Sequence, residues 1–169
     1  MKQPDSIPHS GTWLDIGCAN GYLIECTLRW TAARGLAITP YGLDFSAALL
    51  ALAQARLPTY ADHFFLGNAW DWSPPHRFDC VSTNLEYVPD VLKIAYVQRL
   101  LRDCIVPRGT LLIGEYTNER DPRSTLAIDT EVVAMGFPVA TSRSGYLHGK
   151  ELARVATVPS TLESSNDPC

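Results

Sequence analysis

The sequence predicts an α/β domain: a doubly wound, mostly parallel sheet covered by helices on both faces and closed by a C-terminal antiparallel hairpin. Three observations lead there. Short apolar β-type runs alternate with helical patterns along most of the chain. The fifth of those runs is almost wholly apolar, as a strand buried on both faces must be. The last two runs are separated by a loop alone, and strands joined that way pair antiparallel.

Trp13 to Ile16 is the first strand. Tyr22 to Arg34 carries Leu23, Ile24, Leu28 and Trp30 at helical spacing and stops at Gly35, a C-cap residue. Ile38 to Leu43 is the second strand, and Asp44 follows it. Ser46 caps a helix from Ala47 to Arg56, whose run of alanines and leucines favours helix. Asp62 to Leu66 is the third strand, followed by the loop GNAWDWSPPH, and Phe78 to Thr83 is the fourth. Pro89 suits the first helical position of a helix from Asp90 to Cys104. Thr110 to Tyr116 is the fifth strand, and Thr125 to Met135 is a helix closed by Gly136. Phe137 to Ser142 and Arg154 to Val158 form the terminal hairpin, joined through Gly145 and Gly149. The domain spans residues 1–158. Residues 159–169 are polar with two prolines and no period, so a loose, disordered tail is expected.

At 169 residues the chain holds one domain with a proper core. Its net charge of −4 comes with scattered lysines and arginines, which argues against nucleic-acid or anionic-membrane partners. The five cysteines include no C-x-x-C pair and the histidines lie far apart, so neither a disulfide framework nor a metal site is expected. No run is long and apolar enough for a membrane span, and a reduced cytoplasm is the expected location.

The first, second and fourth strands end in Asp15, Asp44 and Asn84, polar groups at the carboxyl edge where such sheets bind ligands. The glycine turn after the first strand identifies the ligand class. A dinucleotide site wants G-x-G-x-x-G, but from Gly17 the chain has Ala19 and Tyr22 at the second and third glycines. It also starts at Asp15, a carboxylate that a pyrophosphate would repel. The alternative pattern, D-x-G-x-G-x-G, reads Asp15-Ile16-Gly17-Cys18-Ala19-Asn20-Gly21, with Ala19 the single departure. This resembles the first motif of the class I S-adenosylmethionine-dependent methyltransferases, which share a Rossmann-like sheet. That cofactor carries an amine and a sulfonium, which suit an acidic turn.

Further motifs extend the resemblance from about residue 12 to residue 116. Asp44 in YGLDFS matches the acid that binds the ribose hydroxyls, and GNAWDW matches the third motif with Asn68 in place of an acid. FDCVSTNLEYVPD matches the fourth motif, and VPRGTLLIGEY matches the fifth strand with Arg108 where a glycine is usual. The resemblance implies S-adenosyl-L-methionine as cofactor. Asp15, Gly17, Ala19 and Gly21 would hold its methionine part, Asp44 its ribose, Asn68, Ala69 and Phe45 its adenine, and Asn84 its near edge. Trp70 and Trp72 are expected to pack against the strand ends. Asn84-Leu85-Glu86-Tyr87 lacks the two prolines of amino-group methyltransferases acting on bases, so a small-molecule acceptor is expected.

Methyl transfer needs mainly alignment. If the acceptor is a hydroxyl a base helps, and Glu86 and Tyr87 are the first candidates on position, with Glu115 and His148 behind them. About ten residues precede the first strand, so the family's N-terminal cap helices are expected to be absent and the acceptor site open, or completed by a partner or a second copy. A regulatory or scaffold subunit that binds cofactor without turnover is the alternative function, and a nicotinamide-dependent oxidoreductase is disfavoured by the glycine spacing.

Overall fold

The computed structural model describes residues 7–122 and 126–160. Residues 1–6, 123–125 and 161–169 lie outside the described residues, and most of the expected tail falls there. Pro159 still belongs to a strand and Ser160 is buried, so order runs two positions into that expected tail.

Among the described residues, seven strands form one sheet: β1 Gly11–Ile16, β2 Ile38–Asp44, β3 Phe64–Leu66, β4 Phe78–Asn84, β5 Ile105–Tyr116, β6 Thr141–Leu147 and β7 Lys150–Pro159. Their order is β3-β2-β1-β4-β5-β7-β6. β1 to β5 are parallel, and β7 runs antiparallel to both β5 and β6. The order reverses at β1, which lies between β2 and β4, and the crevice above that point positions the site. The helices are α1 Tyr22–Ala32, α2 Ala47–Arg56, α3 Lys93–Arg99 and α4 Ile128–Ala134.

Strand alternation divides the core in two. Trp13 packs with Ile24 of α1 and with Leu50 and Ala53 of α2 on one face. Its neighbour Leu14 points the other way, among Tyr96, Val97 and Leu100. Both faces are covered by apolar packing, which is why β1 and β5 read as continuous apolar runs. Ser46 caps α2 as its type predicts, accepting from Leu49 N at 3.4 Å.

Several boundaries differ from the pattern-based expectation, each for a local reason. β3 begins only at Phe64, because Pro58–His63 coils into 3₁₀ turns first. The helix expected from Asp90 to Cys104 divides into a 3₁₀ turn at Asp90–Leu92, α3, and a wide π turn at Leu100–Cys104. That wider turn seats Leu100, Cys104 and Ile105, all fully buried, and delivers the chain into β5 without a loop. β5 thus starts five residues early, and Arg108 within its lead-in takes φ 66°, the left-handed region where a glycine is usual.

The terminal hairpin also shifts. Phe137 packs against the core instead of starting a strand, and Gly145 lies inside β6 beside a register break. The turn is His148-Gly149 alone, with φ 50° and 81°. Positive φ at both positions gives the twist that two-residue hairpins require. α4 starts at Ile128; Thr125, its expected first residue, lies outside the described residues.

Candidate cofactor site

The turn after β1 is held by backbone bonds before any ligand is considered. Gly17 N and Cys18 N both donate to Leu43 O, at 2.7 and 3.1 Å, which fastens the turn to the end of β2. Gly17, Ala19 and Gly21 have φ of 81°, 48° and 70°. The glycines reach that region freely, while Ala19 is held there at a penalty of roughly 1 kcal/mol. The glycine usual at this position therefore answers to backbone conformation as well as to ligand approach. Gly21 also lets α1 close on α2, since a Cβ there would meet Ala53 Cβ at 3.1 Å.

Asp44 joins two of these loops. Its Oδ2 accepts from Ala19 N and its Oδ1 from Ser46 N, each at 2.9 Å, so each oxygen keeps a lone pair for a ligand. Asp15 is equally buried, but with poorer company. Its Oδ1 accepts from Ser82 Oγ at 2.7 Å, and Ser82 in turn accepts from Trp13 Nε1 at 2.9 Å. Burial pushes the Asp15 carboxyl up to about 7, against the Ser82 hydrogen bond and with help from the nearby Asp44 charge.

Two cavities open at this edge. One, of about 290 Å³, is lined by Asp15, Gly17, Ala19, Asn84, Tyr87 and Tyr116 among others, and runs along α1 past Tyr22, Leu23 and Trp30. The other, of about 440 Å³, is lined by Asp44, Phe45, Asn68, Ala69, Glu86 and Tyr87 among others. The residues singled out from the sequence therefore gather at one edge, the methionine set in the first cavity and the ribose and adenine set in the second. Gly21 lies just behind, capping α1.

The details revise several individual expectations. Asn68 Oδ1 accepts from Trp70 N at 2.8 Å, so its side chain turns back into its own loop. Arg99 holds that loop from below, donating to Trp72 O at 3.0 Å and to Ala69 O. Trp72 lies over Gly67 and packs 5.2 Å from the Phe65 ring, as a strand-end cover. Phe45 is 82% exposed at the open side of its cavity. Asn84 Oδ1 caps the Leu85–Tyr87 turn by accepting from Glu86 N at 2.8 Å.

Two candidate bases leave the site. Glu115 accepts from Ala127 N at 2.8 Å, ahead of α4, and His148 sits at the hairpin tip 2.9 Å from Glu119. Tyr87 stays, with its hydroxyl end seated over Gly17 although the residue is 44% exposed. Burial of that end, then the Asp15 charge, holds the phenol above the usual tyrosine range. Sequence reasoning missed Ser82, Arg99 and Tyr116. Only the β1–β4 register, which sets Asp15 opposite Ser82, exposes the first.

No protein-family model matches the chain. In an alignment of 139 residues that covers 78% of this chain, it is 31% identical to trans-aconitate 2-methyltransferase of Methylobacterium radiotolerans, and it spans half the length of that relative. Among solved structures, the glycopeptide N-methyltransferase MtfA complexed with S-adenosylhomocysteine superposes with a TM-score of 0.67 at 14% identity, over 92% of this chain and 85% of that one. A chain from the complex between the Haloferax volcanii Trm112 methyltransferase activator and a methyltransferase gives 0.64 at 18% identity, over 91% and 84%. Among the described residues, no helix is long and apolar enough to cross a membrane.

Proposed function

We propose that this chain, which has the fold of the class I S-adenosylmethionine-dependent methyltransferases and is related to them in sequence, binds S-adenosyl-L-methionine across its two cavities and transfers the methyl group to a small-molecule acceptor. The observation that carries the reading is the division of acidic groups at the switch point. Asp15 and Asp44 each close a neighbouring strand, each buried, and each faces a different cavity.

The donor set fits the cofactor. Asp44 offers two oxygens already oriented by backbone donors, the arrangement a vicinal diol needs. Asp15 faces the compartment given to the ammonium end, whose lining also includes Gly17, Ala19 and Asn84. Phe45, Asn68 and Ala69 border the space assigned to adenine. When bound, the cofactor supplies an electrophilic methyl group on a sulfonium.

The protein's part is then to align and to exclude water. Tyr22, Leu23 and Trp30 line the part of the first cavity assigned to the acceptor. The Tyr87 phenol stays protonated at neutral pH, and Glu86 lies on an exposed turn at the second cavity. Neither is a base suited to strip a hydroxyl there, so the acceptor is one that brings its own lone pair, such as a carboxylate oxygen. The name of the M. radiotolerans relative agrees with that choice. A partner or second copy covering the acceptor side is supported by the likeness to a chain solved with the Trm112 activator.

Calorimetric titration with S-adenosylhomocysteine tests the binding step. Asp44→Ala is expected to weaken it at least about tenfold, because a charged, bidentate hydrogen bond is lost. Transfer of labelled methyl to a panel of small carboxylic acids, trans-aconitate included, tests the acceptor. Tight binding with no transfer to any of them, alone or with an activator, would leave the regulatory-subunit reading, which the strained Ala19 turn favours.

A further inference from the structure

The two cavities share three lining residues, Ile16, Gly17 and Tyr87. Tyr87 forms the partition between them. An ideal Cβ built on Gly17 would lie 2.1 Å from Tyr87 Oη, 2.4 Å from Cζ and 2.7 Å from Cε2, so the phenol occupies the space directly above the Gly17 backbone. Gly17 thus stands under a tyrosine of its own chain, in the place where its lack of a side chain would otherwise admit a ligand. Asp15 and Ala19 border only the first cavity, and Asp44 and Asn68 only the second. A molecule with its amino-acid end beside Asp15 and its ribose on Asp44 must therefore cross between Gly17 and Tyr87.

We infer that Tyr87 is a gate on the cofactor path: its ring seals the two compartments from each other and must swing off Gly17 before the cofactor is seated, then covers the cofactor's charged middle. This rests on the function proposed above. The local construction suits a side chain that moves on a fixed base. Leu85 and Val88 on either side are 2% and 6% exposed, anchoring the backbone, while Tyr87 between them is 44% exposed on a three-residue 3₁₀ turn. Gly17 gives the ring a seat without a Cβ to strike. Out of that seat, the ring face is attractive to a sulfonium, since aromatic faces draw cations through their quadrupole. Two stable positions, one over Gly17 and one over the ligand, make the residue a positioning group as well as a barrier.

Ligands that fill one compartment or both separate this role from a merely structural one. Adenosine fits the Asp44 side and leaves the partition in place, whereas S-adenosylhomocysteine must cross it. By stopped-flow, the wild-type association rate with S-adenosylhomocysteine should level off at high concentration, where gate opening limits, while that with adenosine rises linearly. Tyr87→Ala should remove the plateau and speed S-adenosylhomocysteine association about tenfold, as expected when a binding-competent state rises from a minor to the dominant population. The same variant should release S-adenosylmethionine faster, and adenosine rates should change far less, because the ring is one wall of that compartment and adenosine does not have to pass it. Tyr87→Phe, which keeps the ring, should keep the plateau. If both ligands associate linearly with the wild-type protein, or if Tyr87→Ala accelerates adenosine equally, the gate is wrong while the cofactor assignment stands. If neither ligand binds the wild-type protein, the cofactor assignment falls and the gate with it. Should Tyr87→Ala fail to fold, the wild-type plateau and its retention in Tyr87→Phe decide.

Discussion

Two of the buried carboxylates, Glu151 and Asp15, sit under opposite conditions. Glu151 on β7 is 3% exposed and fully engaged: its oxygens accept from Arg154 Nε at 2.8 Å, from Ser144 Oγ, and from Leu126 N at 2.9 Å. Arg154 also pairs with Asp129 at 3.1 Å, so the network ties α4 to the hairpin. Burial alone would raise the Glu151 carboxyl, yet these hydrogen bonds outweigh it and hold the group below its ordinary range. Asp15 is 6% exposed and receives one hydroxyl bond, from Ser82, so burial wins and the group rises to about 7. Near one edge of the sheet the fold has supplied its acid with a cation. On the central strand β1 the acid faces a cavity, and a cationic ligand can supply what is missing.

The contrast breaks most visibly at Glu151. Glu151→Ala should destabilise the fold by about 2–4 kcal/mol, because it leaves Arg154 with Asp129 alone and strands the buried Leu126 amide. Urea unfolding measures this, and a loss under 1 kcal/mol would show that the network is not the tie described.

Asp15→Asn should do the opposite. The folded group titrates near 7 and the unfolded one near 3.8, so between those values the native state holds more protons than the unfolded state. Its stability contribution is therefore complete below the unfolded value and is lost as pH rises through 7. The asparagine does not titrate, so it should stabilise the protein by roughly 1–3 kcal/mol at pH 8 and by little near pH 4. Thermal melts across that range test the sign.

The same titration governs the ligand. On the proposed reading the cofactor's cationic amino-acid end meets the ionised Asp15, so affinity for S-adenosylmethionine should rise with pH up to about 7 and level off above it, by at most about tenfold per unit. Calorimetry at pH 6.5 in buffers of different ionisation enthalpy should register proton release, and Asp15→Asn should abolish it.

The smallest effect concerns the strained turn. Ala19→Gly should stabilise by no more than about 1 kcal/mol, since relief at φ 48° is offset by added chain entropy in the unfolded state. A destabilised variant would mean that the Ala19 methyl packs in a way that outweighs the strain.

Much of this was legible from residue order. Asp15 after an apolar run, alternating small residues and Asp44 at the next strand end come together at one edge wherever the strands sit side by side. Ser46 reads as a cap because its hydroxyl competes locally for a backbone amide, a tendency independent of the rest of the fold. The hairpin was misplaced for a comparable local reason. Gly145 and Gly149 look alike in sequence, but only Gly149 follows a residue with positive φ, while Gly145 meets a register break.

Periodicity, turn chemistry and the acid-first glycine spacing are short-range properties, and they were enough to specify the alternating architecture, the binding edge and its expected ligand. Pairing across the sheet decided the rest. Ser82 reaches Asp15 from 67 positions away, Arg99 holds a loop 30 positions upstream, and Tyr87 comes to lie over Gly17 from another strand's end. Such neighbours depend on strand order and register, which arise when apolar faces on both sides of the sheet are buried together, and no local pattern encodes them.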